Sequence, residues 1–256
     1  WAEVEGKVNI SVGTCNVMGT AATMAAVAEM LGFALPGSAL APATSAAREQ
    51  IAYDTGRQAV ETIRAGRRPR DLVTADSLEN AFRVVCALGG STNAVIHLLA
   101  IAGRAGVPMT TELLEQWSSS TPYVADVRPG GPYLLADLQQ AGGVPAVVQR
   151  IRALLHEDAI SATGRTWGQV LAEKTFGAND AIRPQGSPFE AALVMLRGNI
   201  APRGAVFKAA GAHERPIRHH RGRAVVFDGI DELNERIDDP DLDVDGDSIL
   251  VLRGMG

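Results

Sequence analysis

The sequence predicts an α/β protein that has a helix-rich part up to Gly186 and a part rich in short strands after it. Two observations lead to this prediction. Before Gly186, apolar residues recur at spacings of three and four, and glycine or proline ends most of these runs, as is typical of helices. After Pro188, short β-type runs take over. We therefore predict two domains, 1–186 and 187–256, in a chain whose 46% apolar content is enough for a large core.

The first predicted element is a short strand at residues 8–12, and Cys15 follows it in a turn rich in glycine and threonine. A helix comes next and ends at Gly32. A thiol between a strand and a helix lies near unpaired N–H groups and the positive end of the helix dipole, which favour the thiolate. Cys15 is therefore a candidate nucleophile or soft-metal ligand. The alternative is a small buried core residue, since no CxxC motif or Cys/His cluster surrounds it.

Three longer helices are predicted in the next stretch of the chain, over residues 45–65, 74–88 and 91–104, each with a polar residue at its start. Cys86 lies next to the apolar face of the second of these helices, and we interpret it as a core residue. His97 lies in the third helix among apolar neighbours, and we interpret it as a core or edge histidine without a catalytic role.

Ser91, Thr92 and Asn93 follow two glycines and precede an apolar helix, and this pattern has two interpretations. Free N–H groups at the start of a helix can bind an anion. The same three residue types also cap helices without any ligand. The spacing of the residues favours capping but leaves both interpretations open.

Shorter elements complete the pattern. The predicted helices are 110–121, 133–140, 143–156, 169–174 and 231–237, and the predicted strands are 192–196, 205–208, 224–227 and 248–252. An aspartate-rich stretch at 238–247 resembles a calcium-binding loop only in part. Counted from Asp241, a glycine falls at the sixth position, but Leu252 stands at the twelfth, where an EF-hand loop has a glutamate. We interpret the stretch as a solvated turn before a strand.

Composition excludes several classes of function. The formal net charge of −5 leaves no basic field for nonspecific nucleic-acid binding, and no apolar run has the length of a membrane span. Two cysteines do not make a disulfide framework and indicate a reducing compartment, so we expect a cytoplasmic protein. No signal peptide is visible. Because the chain starts at Trp1 and stops directly after an apolar run, we expect it to be a fragment.

Four blocks of sequence carry a resemblance to a known family. They are residues 13–24 (GTCNVMGTAATM), 35–38 (LPGS), 89–98 (GGSTNAVIHL) and 196–206 (LRGNIAPRGAV). In this order they resemble the dihydroxy-acid dehydratase/6-phosphogluconate dehydratase family, and the similarity runs over essentially the whole chain. The residues of the first and third blocks, and residues 239–243, most resemble the branch of the family that acts on aldonic acids (pentonates and hexonates, such as arabinonate and xylonate).

The resemblance implies a fold, an activity and cofactors. The fold would be the latter part of a helix-rich α/β domain followed by the start of a β-barrel-like (swivelling β/β/α) domain. The activity would be hydro-lyase chemistry that converts a 2,3-dihydroxy sugar acid into a 2-keto-3-deoxy acid, with an iron–sulfur cluster of the 2Fe-2S type and Mg²⁺. A dihydroxy-acid dehydratase of branched-chain amino-acid biosynthesis is one alternative, and a non-catalytic relative of the same fold is another.

The resemblance carries over to few residues of this chain. Cys15 matches the third cysteine ligand of the family's cluster, and the Ser91-Thr92-Asn93 loop is expected near the substrate cavity. The other cluster cysteines and most Mg²⁺ ligands would precede Trp1. A metal-ligating glutamate and the catalytic serine would follow Gly256, so no catalytic residue is expected within this chain. We expect the chain alone to be inactive and cluster-free, and the full-length protein to be a homo-oligomer (dimer or tetramer) that binds a small sugar acid but neither nucleic acid nor a membrane.

Overall fold

The computed structural model describes residues 13–187, 190–212 and 219–254. The strand predicted at residues 8–12 lies outside this range. By packing, the chain divides into two compact units, 1–213 and 214–256. This division does not test the domain boundary predicted at Gly186, which stays a prediction.

Helices are the main secondary structure in the described residues of the first unit. A short 3₁₀ turn, Arg152–Leu154, follows the eighth helix, and another, Ala209–Gly211, follows the second strand. The α-helices are α1 (Thr20–Met30), α2 (Ala46–Arg64), α3 (Pro69–Leu72), α4 (Ala75–Leu88), α5 (Asn93–Ala105), α6 (Thr111–Ser120), α7 (Leu135–Gln140), α8 (Gly143–Arg150) and α9 (Trp167–Ala172).

The helices predicted after Cys15 and over residues 45–65, 74–88, 91–104 and 110–121 are confirmed within about one or two residues at most ends. Their ends are set locally. Ser45 Oγ accepts from the Arg48 N–H before α2, and Thr74 Oγ1 accepts from the Ser77 N–H before α4. Gly89 ends α4 at φ +60°, a left-handed conformation that glycine adopts without strain.

Helix α4 is the centre of the first unit. Every residue from Asn80 to Leu88 is buried, and the helix packs against α1, α5, α6 and α8. Cys86 is fully buried here, which confirms its interpretation as a core residue, and burial raises the pKa of its thiol well above the usual range. Each large apolar side chain buried in this way contributes roughly 1.5–3 kcal/mol.

Two small sheets contain the described strands. In the first unit, β1 (Leu193–Leu196) pairs antiparallel with β2 (Ala205–Lys208), with Leu193 opposite Lys208. In the second unit, β3 (Ala224–Phe227) and β4 (Ile249–Leu252) are parallel neighbours, and helix α10 (Ile230–Arg236) lies between them in sequence. All four predicted strands and the predicted helix at 231–237 are therefore present.

These elements confirm a mixed α/β fold. The β-barrel-like arrangement stays a prediction, because the described strands form two separate sheets of two strands each. Among the helices that the structure describes, none is both long enough and apolar enough to cross a lipid bilayer.

Candidate functional site

Cys15 lies in the turn before α1, and its side chain lines a cavity of about 340 Å³. The residue is exposed, so the alternative of a buried core cysteine does not describe it. Gly19 lies close by, since a Cβ atom at that position would be 3.8 Å from Cys15 Sγ. Gly13 has φ +100°, and a Cβ there would be 3.0 Å from Ala43 Cβ. The turn therefore uses glycine where the chain passes close to the opposite wall.

Asn16 fixes one wall of this cavity. Its backbone carbonyl accepts from the Leu135 N–H at 3.1 Å, and its Oδ1 accepts from the Ala136 N–H at 2.9 Å. Leu135 and Ala136 both line the cavity. The Asn16 Nδ2 atom is buried and has no hydrogen-bond acceptor among the described residues. A buried donor without an acceptor costs about 1–3 kcal/mol, so an acceptor atom of a bound group would stabilise this wall.

The opposite wall is the loop over residues 39–43. Glu29 stabilises this loop through hydrogen bonds to the backbone at and just before its start. Glu29 is fully buried on α1, and its carboxylate accepts from the Gly37 N–H at 2.7 Å and from the Ala39 N–H at 3.0 Å. Burial raises the pKa of Glu29 to about 7, although these backbone donors and Lys174 act in the opposite direction. Helix α1 therefore carries the Cys15 turn at its start and supports the facing wall near its end.

Arg48 completes this wall from the first turn of α2. Its guanidinium lines the cavity, and Nη2 donates to the carbonyl oxygen of Ala41. Arg48 is the single charged side chain among the described residues that line the cavity. No local pattern of residues marks Arg48, Asn16 or Glu29, because their roles depend on contacts between separate elements.

The Ser91-Thr92-Asn93 loop is fastened to the first turns of α1. Ser91 Oγ lies 2.9 Å from Thr20 Oγ1, Asn93 Nδ2 donates to Thr20 Oγ1 at 2.8 Å, and the Ser91 N–H donates to Thr23 Oγ1 at 3.0 Å. Thr92 occupies the cap position of α5 without a side-chain cap. The loop thus joins the starts of two helices close to the Cys15 turn.

None of these three loop residues lines the Cys15 cavity. Their place near a substrate therefore stays a prediction. The Ser91 hydroxyl does accept from the Asn93 N–H at 3.2 Å, which is a local contact of the kind that capping predicts. His97 is exposed on α5 and is not a core histidine.

Strand β2 reaches the same turn through Lys208. Its Nζ donates to the carbonyl oxygen of Met18 at 3.1 Å, and the Met18 N–H donates to the carbonyl oxygen of Arg128 at 2.8 Å. Burial lowers the pKa of the Lys208 ammonium group. The segment between Cys15 and α1 is therefore held from two sides, and no local sequence pattern marks Lys208 for this contact.

The arrangement fits one ligand of an iron–sulfur cluster. Cys15 is exposed and lines a cavity, and the next residue, Asn16, has a buried amide nitrogen without an acceptor among the described residues. One thiolate does not hold a cluster by itself. In the described ranges, no set of three or more Cys, His, Asp or Glu side chains is placed to hold a metal ion. The structure thus offers Cys15 as a single candidate ligand, and its role as a ligand stays a prediction.

Comparisons with known proteins cover nearly the whole chain. The family model for the dihydroxy-acid/6-phosphogluconate dehydratase N-terminal region matches residues 1–170, and the model for the C-terminal region of the same family matches residues 180–256. The two models therefore follow each other along nearly the whole chain.

Curated relatives are similar over the same length. A 6-deoxy-6-sulfo-D-gluconate dehydratase of Pseudomonas putida is 40% identical over 100% of this chain and 45% of its own length. An L-arabinonate dehydratase of Rhizobium leguminosarum bv. trifolii is 40% identical over 99% of this chain and 44% of its own length. A dihydroxy-acid dehydratase of Sulfurisphaera tokodaii is 41% identical over 90% of this chain and 43% of its own length. The chain spans less than half the length of these relatives. With both family models matched and this identity along its length, the chain belongs to the dihydroxy-acid/6-phosphogluconate dehydratase family.

Proposed function

We propose that this chain is part of a hydro-lyase that removes water from a 2,3-dihydroxy sugar acid and gives a 2-keto-3-deoxy acid. The observation that carries the proposal is the exposed Cys15 thiol in the wall of a cavity, at the start of a helix. Family membership and the relatives named for sulfogluconate and arabinonate support the class of substrate.

The reaction breaks the C3–O bond and removes the C2 proton, and the resulting enol becomes the 2-keto acid. When bound, an iron–sulfur cluster of the 2Fe-2S type supplies a Lewis acid for the leaving hydroxyl, and Mg²⁺ supplies a site for the carboxylate and the C2 hydroxyl. Within this chain, Cys15 contributes a thiolate ligand. Asn16 orients the turn, because its Oδ1 accepts from the Ala136 N–H across the cavity wall. The remaining ligands and the base come from elsewhere in the full-length protein.

This proposal extends to the partners and location of the full-length protein. It is a cytoplasmic homo-oligomer, a dimer or a tetramer, that binds a small sugar acid and neither nucleic acid nor membrane. The net charge of −5 supports the absence of a nucleic-acid partner. Ser91, Thr92 and Asn93 lie near the substrate in the assembled protein, since their loop is hydrogen-bonded to the helix that follows Cys15.

The first test compares the Cys15→Ser and Cys86→Ala variants of the full-length protein, purified without oxygen. We expect the Cys15→Ser variant to lose the visible absorbance of the cluster, because a serine hydroxyl replaces a thiolate ligand. Its turnover should fall at least about 100-fold. Cys86→Ala is the matched control, since Cys86 is buried in the core away from the cavity. A Cys15→Ser protein that keeps its iron content and its turnover would contradict the proposal.

The substrate is tested with D-xylonate, L-arabinonate, D-gluconate and dihydroxyisovalerate, with the 2-keto acid product as readout. We expect turnover of at least one aldonate. A second candidate, the branched-chain dihydroxy-acid dehydratase, is favoured by the relative of that name in Sulfurisphaera tokodaii. Turnover of dihydroxyisovalerate alone would establish that alternative. A folded protein without turnover on any of the four, or on 6-deoxy-6-sulfo-D-gluconate, would favour a non-catalytic relative. The isolated 256-residue chain is expected to hold no iron and to show no turnover.

A further inference from the structure

The charge balance of the Cys15 cavity is unusual. Among the described residues, Arg48 is the single charged side chain that lines it, and none of those lining residues is a carboxylate. The other arginines in the middle and last turns of α2 are paired, Arg57 with Asp54 and Arg64 with Glu61. Arg48 forms no ion pair with any residue in the described part of the chain. A half-buried guanidinium without a counter-charge favours an anion in the space that it faces.

The geometry holds the guanidinium in place. Nη2 of Arg48 donates to the carbonyl oxygen of Ala41, and Ala41 belongs to the loop that Glu29 supports. A guanidinium stays charged at all physiological pH values, and its planar set of N–H donors matches a carboxylate. A sphere of the cavity's volume is about 9 Å across. Since this is close to the screening length of about 8 Å at physiological ionic strength, the charge acts throughout the cavity.

We propose that Arg48 binds the carboxylate or another acidic group of a small hydroxylated ligand in the Cys15 cavity. Thr14 and Asn16, which line the same cavity, are polar residues that suit the hydroxyl groups of such a ligand. The identification of this ligand with the sugar acid rests on the proposed function. Arg48 is then the residue that selects acids over neutral polyols.

The test uses Cys15 as a reporter inside the cavity. Iodoacetate and iodoacetamide both alkylate the thiolate, forming a C–S bond at the CH₂ carbon and releasing iodide, but iodoacetate carries a carboxylate and iodoacetamide is neutral. The ratio of their two rate constants at one pH therefore reports the local attraction for a carboxylate, because the fraction of thiolate cancels. Peptide mass mapping restricts the readout to Cys15, and the buried Cys86 is the internal control for folding.

We expect Arg48→Gln to lower the ratio of iodoacetate to iodoacetamide rates about fivefold relative to the wild-type chain. Arg48→Lys keeps the charge and should keep most of the ratio. Arg64→Gln, at the other end of α2 and outside the cavity, is the matched control and should leave the ratio unchanged. Because Arg48 also contacts Ala41, a movement of the loop would appear in the iodoacetamide rate alone. An unchanged ratio in Arg48→Gln would overturn the inference, whatever happens to that rate.

A competition experiment addresses the ligand itself. Sodium D-gluconate should slow the alkylation of Cys15 by iodoacetamide in the wild-type chain, and at least about fivefold more gluconate should be needed for the same protection in Arg48→Gln. The neutral polyol sorbitol should protect neither protein. Equal protection by sorbitol and gluconate would also overturn the inference. These readouts need no turnover. A full-length protein without dehydratase activity would therefore refute the proposed function, whereas the role of Arg48 in carboxylate binding is decided by the alkylation rates alone.

Discussion

At the scale of single residues, Glu29 places an ionisable group where water does not reach. The carboxyl is fully buried, and burial raises its pKa from the ordinary value of 4.5 to about 7, although Lys174 and backbone N–H groups of residues 37–39 act against this rise. The folded chain therefore binds more protons than the unfolded chain between these two pH values. Stability consequently falls as the pH rises through this window, by about 3 kcal/mol in all.

Glu29→Gln should remove this dependence on pH. Glutamine keeps the size of the side chain and one acceptor oxygen but does not ionise. We expect the free energy of unfolding of the wild-type chain, measured in urea, to fall relative to that of Glu29→Gln by about 2–3 kcal/mol between pH 5 and pH 8. Glu61→Gln, on the exposed surface of α2, is the control and should follow the wild type. Parallel pH curves for the wild type and Glu29→Gln would show that the buried carboxyl does not titrate in this range.

The residues of the candidate site were predictable from sequence only where a local motif marked them. Cys15 stands in such a motif, and the structure places it on a cavity as an accessible thiol. Asn16 reaches Ala136 across 120 residues, and Lys208 reaches Met18 across 190. No periodicity or spacing encodes these contacts, since they form only when separate elements pack. Arg48 has the same limitation, because its helix was predicted while the cavity beside its first turn was not.

At the scale of elements, the helices with local caps were predicted well. Ser45 and Thr74 each bond to an N–H three residues later, so both helix starts are determined by adjacent sequence. The shorter helices differ more. The helix predicted at 143–156 ends at Arg150 and continues as a 3₁₀ turn, and the one predicted at 169–174 begins two residues earlier, at Trp167. The indole of Trp167 donates to the carbonyl oxygen of Met30 in the core, and such tertiary contacts are not visible in local propensity.

The joint between α1 and the Ser91 loop depends on Gly90. A Cβ atom at Gly90 would lie 2.9 Å from both Thr23 Cγ2 and Val85 Cγ1. We therefore expect Gly90→Ala to destabilise the chain by about 1–3 kcal/mol in urea unfolding, because the added methyl group separates α1 from the loop.

A matched control for Gly90→Ala lies in the middle of α2. A Cβ at Gly56 would meet no atom within 4 Å, so Gly56→Ala should stabilise the chain by about 0.4–1 kcal/mol. If both alanine variants gave the same change in unfolding free energy, close packing at Gly90 would not be the cause. Loss of the Ser91 N–H contact to Thr23 is a second expected effect of Gly90→Ala, seen as faster amide exchange at Ser91.

At the scale of the whole molecule, the positions of the strands were predictable and their assembly was not. All four strands fall where short β-type runs occur, since branched and aromatic side chains favour extended backbone. Their pairing depends on residues far apart, such as Ala224 beside Ile249 in the parallel pair. Two separate small sheets result, and the β-barrel-like arrangement remains a prediction for the longer protein.

Helix α2 has an exposed apolar stripe that is relevant to the association of whole molecules. It is 19 residues long, and none of its residues is buried. Tyr53, Val60 and Ile63 follow a helical spacing of seven and three, and their relative exposures are 66%, 47% and 78%. Most helices in proteins are stabilised by burying one such face. This exposed stripe is a candidate contact surface, either for the remainder of the longer protein or for a second copy in the proposed homo-oligomer.

The role of this stripe can be tested by placing a charged side chain in it. Ile63→Asp and Val60→Asp should shift the association equilibrium measured by sedimentation towards the monomer, at least about tenfold in dissociation constant, because a carboxylate would have to lose its water in the contact. Ile200→Asp is the control, since Ile200 is 86% exposed in a loop away from α2. If the wild-type chain sediments as a monomer at every concentration, or if Ile200→Asp has the same effect as Ile63→Asp, the stripe on α2 is not the surface of association. A selective effect at residues 60 and 63 would instead identify α2 as an interface between subunits, on the helix whose first turn carries Arg48 into the Cys15 cavity.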